Sequence, residues 1–313
     1  MDTPPPVQIV ADTATFTRHL YQSSEGARAY WLFVPGGVSE GTSLPLVVLL
    51  HGCTQDAADV ARGSRLNQYA EAQHFLVLYP EQPAAANPQK CWNWFVPEHQ
   101  QRGAGEPALI EAMTRQVMAG RKVDPRRVFL AGISAGGAMA VLTALDYPEL
   151  FAALAVHSGI QYRAAASATE AIAAMKNGGP APGDRARLAY AAMGPRARMV
   201  PAMLLQGSKD PSVQPANLEA LVAQFRALAE LAGAGEGGKG RGEGEREETE
   251  QGKYRTIRTV YRDALGNSQI ESWMIEGLAH AWSGGSPEGT WTDPAAPEMT
   301  REIVRFLLSH PMK

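Results

Sequence analysis

The stretch RVFLAGISAGGAMA, residues 127–140, is where the reading of the chain begins. Its first half is a short continuous apolar run, the pattern of a strand buried on both faces of a sheet. From Ala135 to Asp146 the residues are small and apolar enough for a tightly packed helix. Between the two, Gly132-Ile133-Ser134-Ala135-Gly136 fits G-x-S-x-G. That pattern places a serine on a very tight strand-to-helix turn with its hydroxyl lifted above the sheet, and small neighbours let the backbone turn without collision. The pattern alone is weak, because Gly37-Val38-Ser39-Glu40-Gly41 fits it too. Context separates them: Ser39 lies between two strands in a Gly/Ser-rich loop with no helix behind it, and reads as a turn residue.

Outward from Ser134 the same alternation recurs. LPLVVLLHG at 44–52 and FLVLYP at 75–80 are further buried-strand runs, joined through a helix near 58–73. A long helix near 106–121 leads through a K-V-D-P turn into RVFLAG. FAALAV, PAMLLQG, TIRTVYRD and IESWMIEG follow, and a helix near 296–309 closes the chain. Two strands near 14–22 and 27–34 are spaced for an antiparallel edge. The expectation is one α/β domain over 1–313, with a mostly parallel central sheet, antiparallel N-terminal edge strands and helices on both faces. Residues 160–200, rich in Ala, Gly and Pro, read as an insertion over one end of the sheet. Residues 232–252 hold six Glu against one Lys and two Arg, with almost no apolar side chain, and read as disordered.

Composition removes several function classes. The chain has 313 residues, 45% hydrophobic, with a formal charge of -3, which gives no electrostatic reason to expect nucleic acid or a membrane surface. No run of about 18 apolar residues suggests a membrane span. The N-terminus lacks a basic region followed by an apolar stretch, so as it stands it does not read as a secretory signal, and the expectation is either a cytoplasmic protein or a mature form with a new initiator Met. Cys53 and Cys91 make no disulfide framework, though one bridge is open to them, and no Cys/His cluster has zinc spacing.

A serine hydroxyl needs a hydrogen-bonded base, and on this architecture the acid and then the histidine follow the nucleophile in the chain. Only His157, His280 and His310 come after Ser134. His157 ends FAALAV, too early for an acid from a later strand to precede it, and His310 ends the terminal helix. His280, in GLAHAWSGG between the last strand and the last helix, is the expected base. Among Asp146, Asp184, Asp210 and Asp263, only Asp210 leaves a strand (PAMLLQG) at the catalytic edge; Asp263 sits in a hairpin turn by composition. Oxyanion donors are expected from the amide of Ala135 and from the loop His51-Gly52-Cys53, through the Cys53 amide. Trp92 and Trp94, in the connection 91–95, and Trp282 are the candidate substrate-binding aromatics.

Taken together, LLHGCTQ at 49–55, NPQKCWNWF at 87–95, GISAGGAMA at 132–140 and GLAHAWSGG at 277–285 resemble the polyhydroxybutyrate depolymerase family of esterases. That family has the α/β-hydrolase fold and is close to the feruloyl and acetylxylan esterases. The likeness runs from about residue 27 to 308, interrupted by the acidic segment. It implies hydrolysis of carboxylic esters without metal or organic cofactor, with Ser134, Asp210 and His280 as triad. It also implies that Cys53 and Cys91 approach each other closely enough for a disulfide. Such enzymes are usually exported, so the resemblance implies an extracellular protein. Secreted members usually add a polymer-binding module after the catalytic fold. This sequence stops at that fold, which favours oligomers or soluble short-chain esters as partners.

Overall fold

The computed structural model describes residues 13–23, 26–39, 41–233 and 244–313. The chain opens with a hairpin, β1 (Thr15–Ser23) and β2 (Gly26–Val34), and then enters the wholly buried β3 (Leu44–Leu50). Along β3 the side chains alternate between two apolar layers: Leu46, Val48 and Leu50 join one, Val47 and Leu49 the other. That two-sided burial is why the strand reads as an unbroken apolar run.

Where one helix is expected near 58–73 there are two, α1 (Ala57–Ser64) and α2 (Leu66–Gln73). They break at Arg65, which is left-handed at φ 58°. The break has a use: the Ser64 carbonyl accepts from Thr300 Oγ1 at 2.6 Å, and the Gly63 carbonyl accepts from the Ser286 amide at 2.8 Å. The C-terminal loop therefore docks where the helix stops.

Then come β4 (Leu76–Pro80), α3 (Gly105–Gly120), β5 (Val123–Ile133), α4 (Ala135–Asp146) and β6 (Ala153–His157). The segment expected to lie over one end of the sheet forms α5 (Ala168–Asn177) and α6 (Pro182–Met193). It packs against α4 and α7 (Ala216–Leu231) instead, because Ala171, Ala174, Ala186, Ala189 and Met193 have a continuous apolar surface to join. β7 (Ala202–Gly207) precedes α7.

The expected disorder over 232–252 is corrected in part. Glu245–Gln251 is a strand, β8, paired antiparallel with β9 (Tyr254–Arg262), while 234–243 lie outside the described residues. An edge strand has no core to fill. β8 stays exposed throughout and sets Glu245, Glu247 and Glu248 against Arg262, Arg258 and Arg255 across the pair. Charged edges of this kind also discourage pairing with another chain. β10 (Ser268–Glu276), the short parallel pair β11 (Trp282–Ser283) and β12 (Thr292–Asp293), and α8 (Met299–Leu308) complete the chain.

The large sheet has ten strands in the order β1-β2-β4-β3-β5-β6-β7-β10-β9-β8. The six from β4 to β10 pair in parallel, and both edges are antiparallel, not the N-terminal edge alone. Helices α3, α4 and α7 contribute to one apolar layer and α1, α2 and α8 to the other. No helix among the described residues is long and apolar enough to cross a membrane.

Candidate active site

β3, β5, β6, β7 and β10 run parallel, so their C-terminal ends, and the loops that leave them, share one edge of the sheet. Ser134 lies there, between the last residue of β5 and the first of α4, at φ 58° and ψ -123°. A non-glycine residue in this conformation is strained, and its neighbours explain how the turn is possible. A Cβ on Gly132 would sit 2.3 Å from the Gly136 carbonyl oxygen, and one on Gly136 would sit 2.4 Å from the carbonyl oxygens of Leu50 and His51. Both glycines of the motif are thus demanded by backbone packed against backbone. At the second copy of the pattern, nothing lies within 4 Å of a Cβ on Gly37. The Ser134 amide donates to the His157 carbonyl at 2.9 Å, which ties the turn to β6.

Asp210 follows β7 and His280 follows β10. The His280 Nδ1–H donates to Asp210 Oδ2 at 2.7 Å, and the aspartate side chain is fully buried. Asp210 also accepts from the amides of Ser212 at 2.9 Å and Val213 at 2.8 Å, and from Gln206 Nε2 at 3.0 Å. Burial pushes this carboxyl up, but the imidazole and the two amides outweigh it and hold Asp210 below the ordinary carboxylate value. It stays an anion that accepts only, and so fixes the proton of His280 on Nδ1 and leaves Nε2 free to take a proton.

The loop after β3 is held from several sides. His51, wholly buried, donates from Nδ1 to the Gly52 carbonyl at 2.7 Å and accepts at Nε2 from the Gln82 amide at 3.0 Å. Burial pushes its pKa down to about 4, so it is a neutral strut. Gln55 Oε1 accepts from the Gly52 amide at 2.9 Å. A Cβ on Gly52 would stand 3.5 Å from the Ser134 Cβ, so this loop runs directly beside the serine. Cys53, the next residue, is disulfide-bonded to Cys91, and Ala135 begins α4. Behind the bridge, buried Glu106 accepts from the Asn93 amide and side chain, both at 2.7 Å, and fixes the turn after Cys91.

Comparison with known proteins decides the assignment. The family described as "Esterase PHB depolymerase" matches residues 28–251. The chain belongs to this family. Poly(3-hydroxyalkanoate) depolymerase C of Paucimonas lemoignei is 34% identical over 266 residues, 83% of this chain and 58% of that protein. Feruloyl esterase B of Thermothelomyces thermophilus is 32% identical over 206 residues, 62% of this chain and 68% of that protein. The chain thus spans only a little over half of the depolymerase it matches. An acetyl xylan esterase structure from Aspergillus awamori superposes with a TM-score of 0.68 at 21% identity, covering 84% of this chain and 94% of that one. The fold is that of the α/β-hydrolases.

Within this esterase fold the aromatic residues fall differently from expectation. Trp92, Trp94 and Trp282 are 0%, 4% and 3% exposed and belong to the apolar layers. Trp282 spends its indole N–H on Thr300 Oγ1 at 2.9 Å and stacks on His157 at 5.7 Å. The exposed indole beside His280 is Trp291, unremarked in the sequence because it lies eleven residues further on in a Gly/Ser/Pro loop. His157 was also passed over as a base, and it is a buried neighbour: burial and the nearby His280 push its pKa down to about 4. A cavity of about 880 Å³, lined in part by Arg126, Arg198 and Arg262, lies at the opposite, N-terminal ends of β5–β7, away from all these groups.

Proposed function

We propose that the protein is a serine carboxylic ester hydrolase, with Ser134 as nucleophile, His280 as base and Asp210 as the acid that orients it. The observation carrying this reading is the 2.7 Å bond from His280 to a buried, fully satisfied Asp210 on the sheet edge that bears the strained Ser134 turn. His280 Nε2 takes the Ser134 proton as Oγ attacks the ester carbonyl. The amides of Cys53 and Ala135 hold the oxyanion, and the N-terminus of α4 adds its dipole. His280 then passes the proton to the leaving alcohol. Water, deprotonated by His280, attacks the acyl-enzyme, and Ser134 recovers its proton as the acid departs.

The substrate class we favour is the 3-hydroxybutyrate polyester or its oligomers, with short-chain esters turned over as well. The similarity to the Paucimonas lemoignei depolymerase over 83% of this chain supports it. The second reading is a feruloyl or acetylxylan esterase, supported by the feruloyl esterase similarity. The disulfide beside the oxyanion loop supports action in an oxidising, extracytoplasmic compartment. The test measures 3-hydroxybutyrate released from amorphous polymer and hydrolysis of p-nitrophenyl butyrate, for wild type and Ser134→Ala. Loss of both activities in the variant is expected. Turnover of the small ester only, by wild type, moves the substrate to soluble esters, and undiminished turnover by Ser134→Ala overturns the mechanism.

A further inference from the structure

Trp291 is 48% exposed and has φ 53°, so a large aromatic residue is held at the surface in a left-handed backbone conformation. Its indole meets the His280 ring edge-on, 5.9 Å between centroids at 72°. Five hydrogen bonds on residues 290 and 291 fix it there. The indole N–H donates to Thr54 Oγ1 at 3.0 Å, and that hydroxyl in turn donates to the Cys53 carbonyl at 2.6 Å. The Trp291 carbonyl accepts from the Trp282 amide at 2.7 Å, beside the β11–β12 pair. Just before it, Thr290 is clamped by Asp59 through both its amide and its hydroxyl. Gln55 Nε2 bonds the Thr290 carbonyl at 3.1 Å while its Oε1 holds Gly52. The exposed face is therefore preorganised by the same residues that hold the oxyanion loop.

Resting on the esterase reading, we propose that the Trp291 face is the subsite for the alcohol part of the ester. Its position gives the reason. In the acyl transfer, His280 protonates the leaving oxygen, so the group attached to that oxygen must lie close to the imidazole, and Trp291 is the exposed aromatic side chain that meets that ring. A flat apolar surface there favours an alcohol several carbons long, such as the next hydroxyacyl unit of a chain, over methanol. The contact to Thr54 ties the subsite to the oxyanion residue, so both halves of the ester are located by one rigid assembly.

The experiment compares two ester series in wild type, Trp291→Ala and Trp291→Phe. One series fixes the acyl group and varies the alcohol (methyl and hexyl butyrate); the other fixes methanol and varies the acid (methyl acetate and methyl hexanoate). In Trp291→Ala the hexyl-to-methyl ratio of kcat/KM should fall about tenfold, mainly through a higher KM for hexyl butyrate, with the hexanoate-to-acetate ratio held within about twofold. Trp291→Phe, which keeps a ring, should recover most of the ratio. An unchanged alcohol ratio overturns the proposal, whether rates fall equally or not at all. So does a collapse of the acyl ratio instead, which would put the indole on the acid side. The underlying esterase reading fails separately, if Ser134→Ala still hydrolyses methyl butyrate.

Discussion

Asp210→Asn changes one atom, and the hydrogen bonds around it determine where that atom goes. Asp210 Oδ1 accepts from the Ser212 and Val213 amides, and Oδ2 faces His280 Nδ1 and Gln206 Nε2. An asparagine that keeps its oxygen on the two amides turns its NH₂ toward His280. The imidazole must then accept at Nδ1 and carry its proton on Nε2, the nitrogen that has to deprotonate Ser134. The flipped asparagine keeps the His280 bond but points NH₂ at two backbone N–H groups, losing two hydrogen bonds of about 1 kcal/mol each and leaving buried donors unpaired. Gln206 cannot relieve the first arrangement by rotating its amide, because Nε2 also serves the Val213 carbonyl at 2.8 Å. The wrong tautomer therefore prevails, and kcat should fall by roughly 10³–10⁴, about 4–5.5 kcal/mol of barrier. The assay is p-nitrophenyl butyrate hydrolysis at pH 7.5, with circular dichroism to verify the fold. A loss below roughly 30-fold in a folded variant would refute the tautomer argument, since no other partner for His280 Nδ1 enters it.

Opening the Cys53–Cys91 bridge, which spans 38 residues, should cost about 4 kcal/mol by loop entropy and lower kcat more than it raises KM. A reduced protein with unaltered melting and turnover would contradict a positioning role for the bridge. Acid should destabilise the protein through His51 and His157, whose pKa values are pushed down by burial to about 4. Unfolded histidine titrates near about 6.5, so this stability is complete above that pH, erodes as pH falls, and is lost below about 4. Asp146, raised by burial to about 6, acts in the opposite sense. At pH 5 the histidines together remove about 4 kcal/mol and Asp146 returns about 1, a net loss near 3 that urea midpoints at pH 7.5 and 5 would register. Gly136→Ala drives a Cβ within 2.4 Å of two carbonyl oxygens and should cost more than about 3 kcal/mol or prevent folding. Gly37→Ala meets nothing within 4 Å and should cost only about 1 kcal/mol for its positive φ; equal effects in thermal melts would refute the distinction between the two motifs.

What was legible in the sequence, and what was not, follows from the range of the interactions involved. β3, β4, β6 and β7 are buried along their whole length and so appear as short apolar runs bounded by turns. The Ser134 turn is local as well, since its glycines answer to backbone a few residues or one strand away. β8 was invisible because its stabilising partners, the arginines of β9, are ordinary surface charges until the register is known. The exposed aromatic beside His280 was hidden for the same reason. Trp282 lies two residues from His280, but β11 turns it into the core, and the parallel register Trp282↔Thr292 delivers Trp291 to the imidazole instead.

Backbone strain supplies a signal that spacing does not. Of the eight described non-glycine residues with positive φ, four (Thr54, Ser134, Ser158 and Trp291) gather around the candidate site, while Arg65, His74, Lys90 and Arg163 serve helix ends and loops elsewhere. Thr54 follows the oxyanion loop, Ser134 is the nucleophile of the proposed mechanism, Ser158 follows the buried His157, and Trp291 borders His280. Each holds a conformation that costs on the order of 1–3 kcal/mol, and such residues persist only where the surroundings over-determine them. Here the surroundings are buried parallel strands below and the Asp59–Gln55–Thr290 clamp beside them. A glycine at 291 would remove the strain and keep the β11–β12 pairing, which uses only backbone. Tryptophan does two things there that glycine would not: its indole N–H ties the loop to Thr54, and its exposed face stands beside His280, where the proposal puts the departing alcohol.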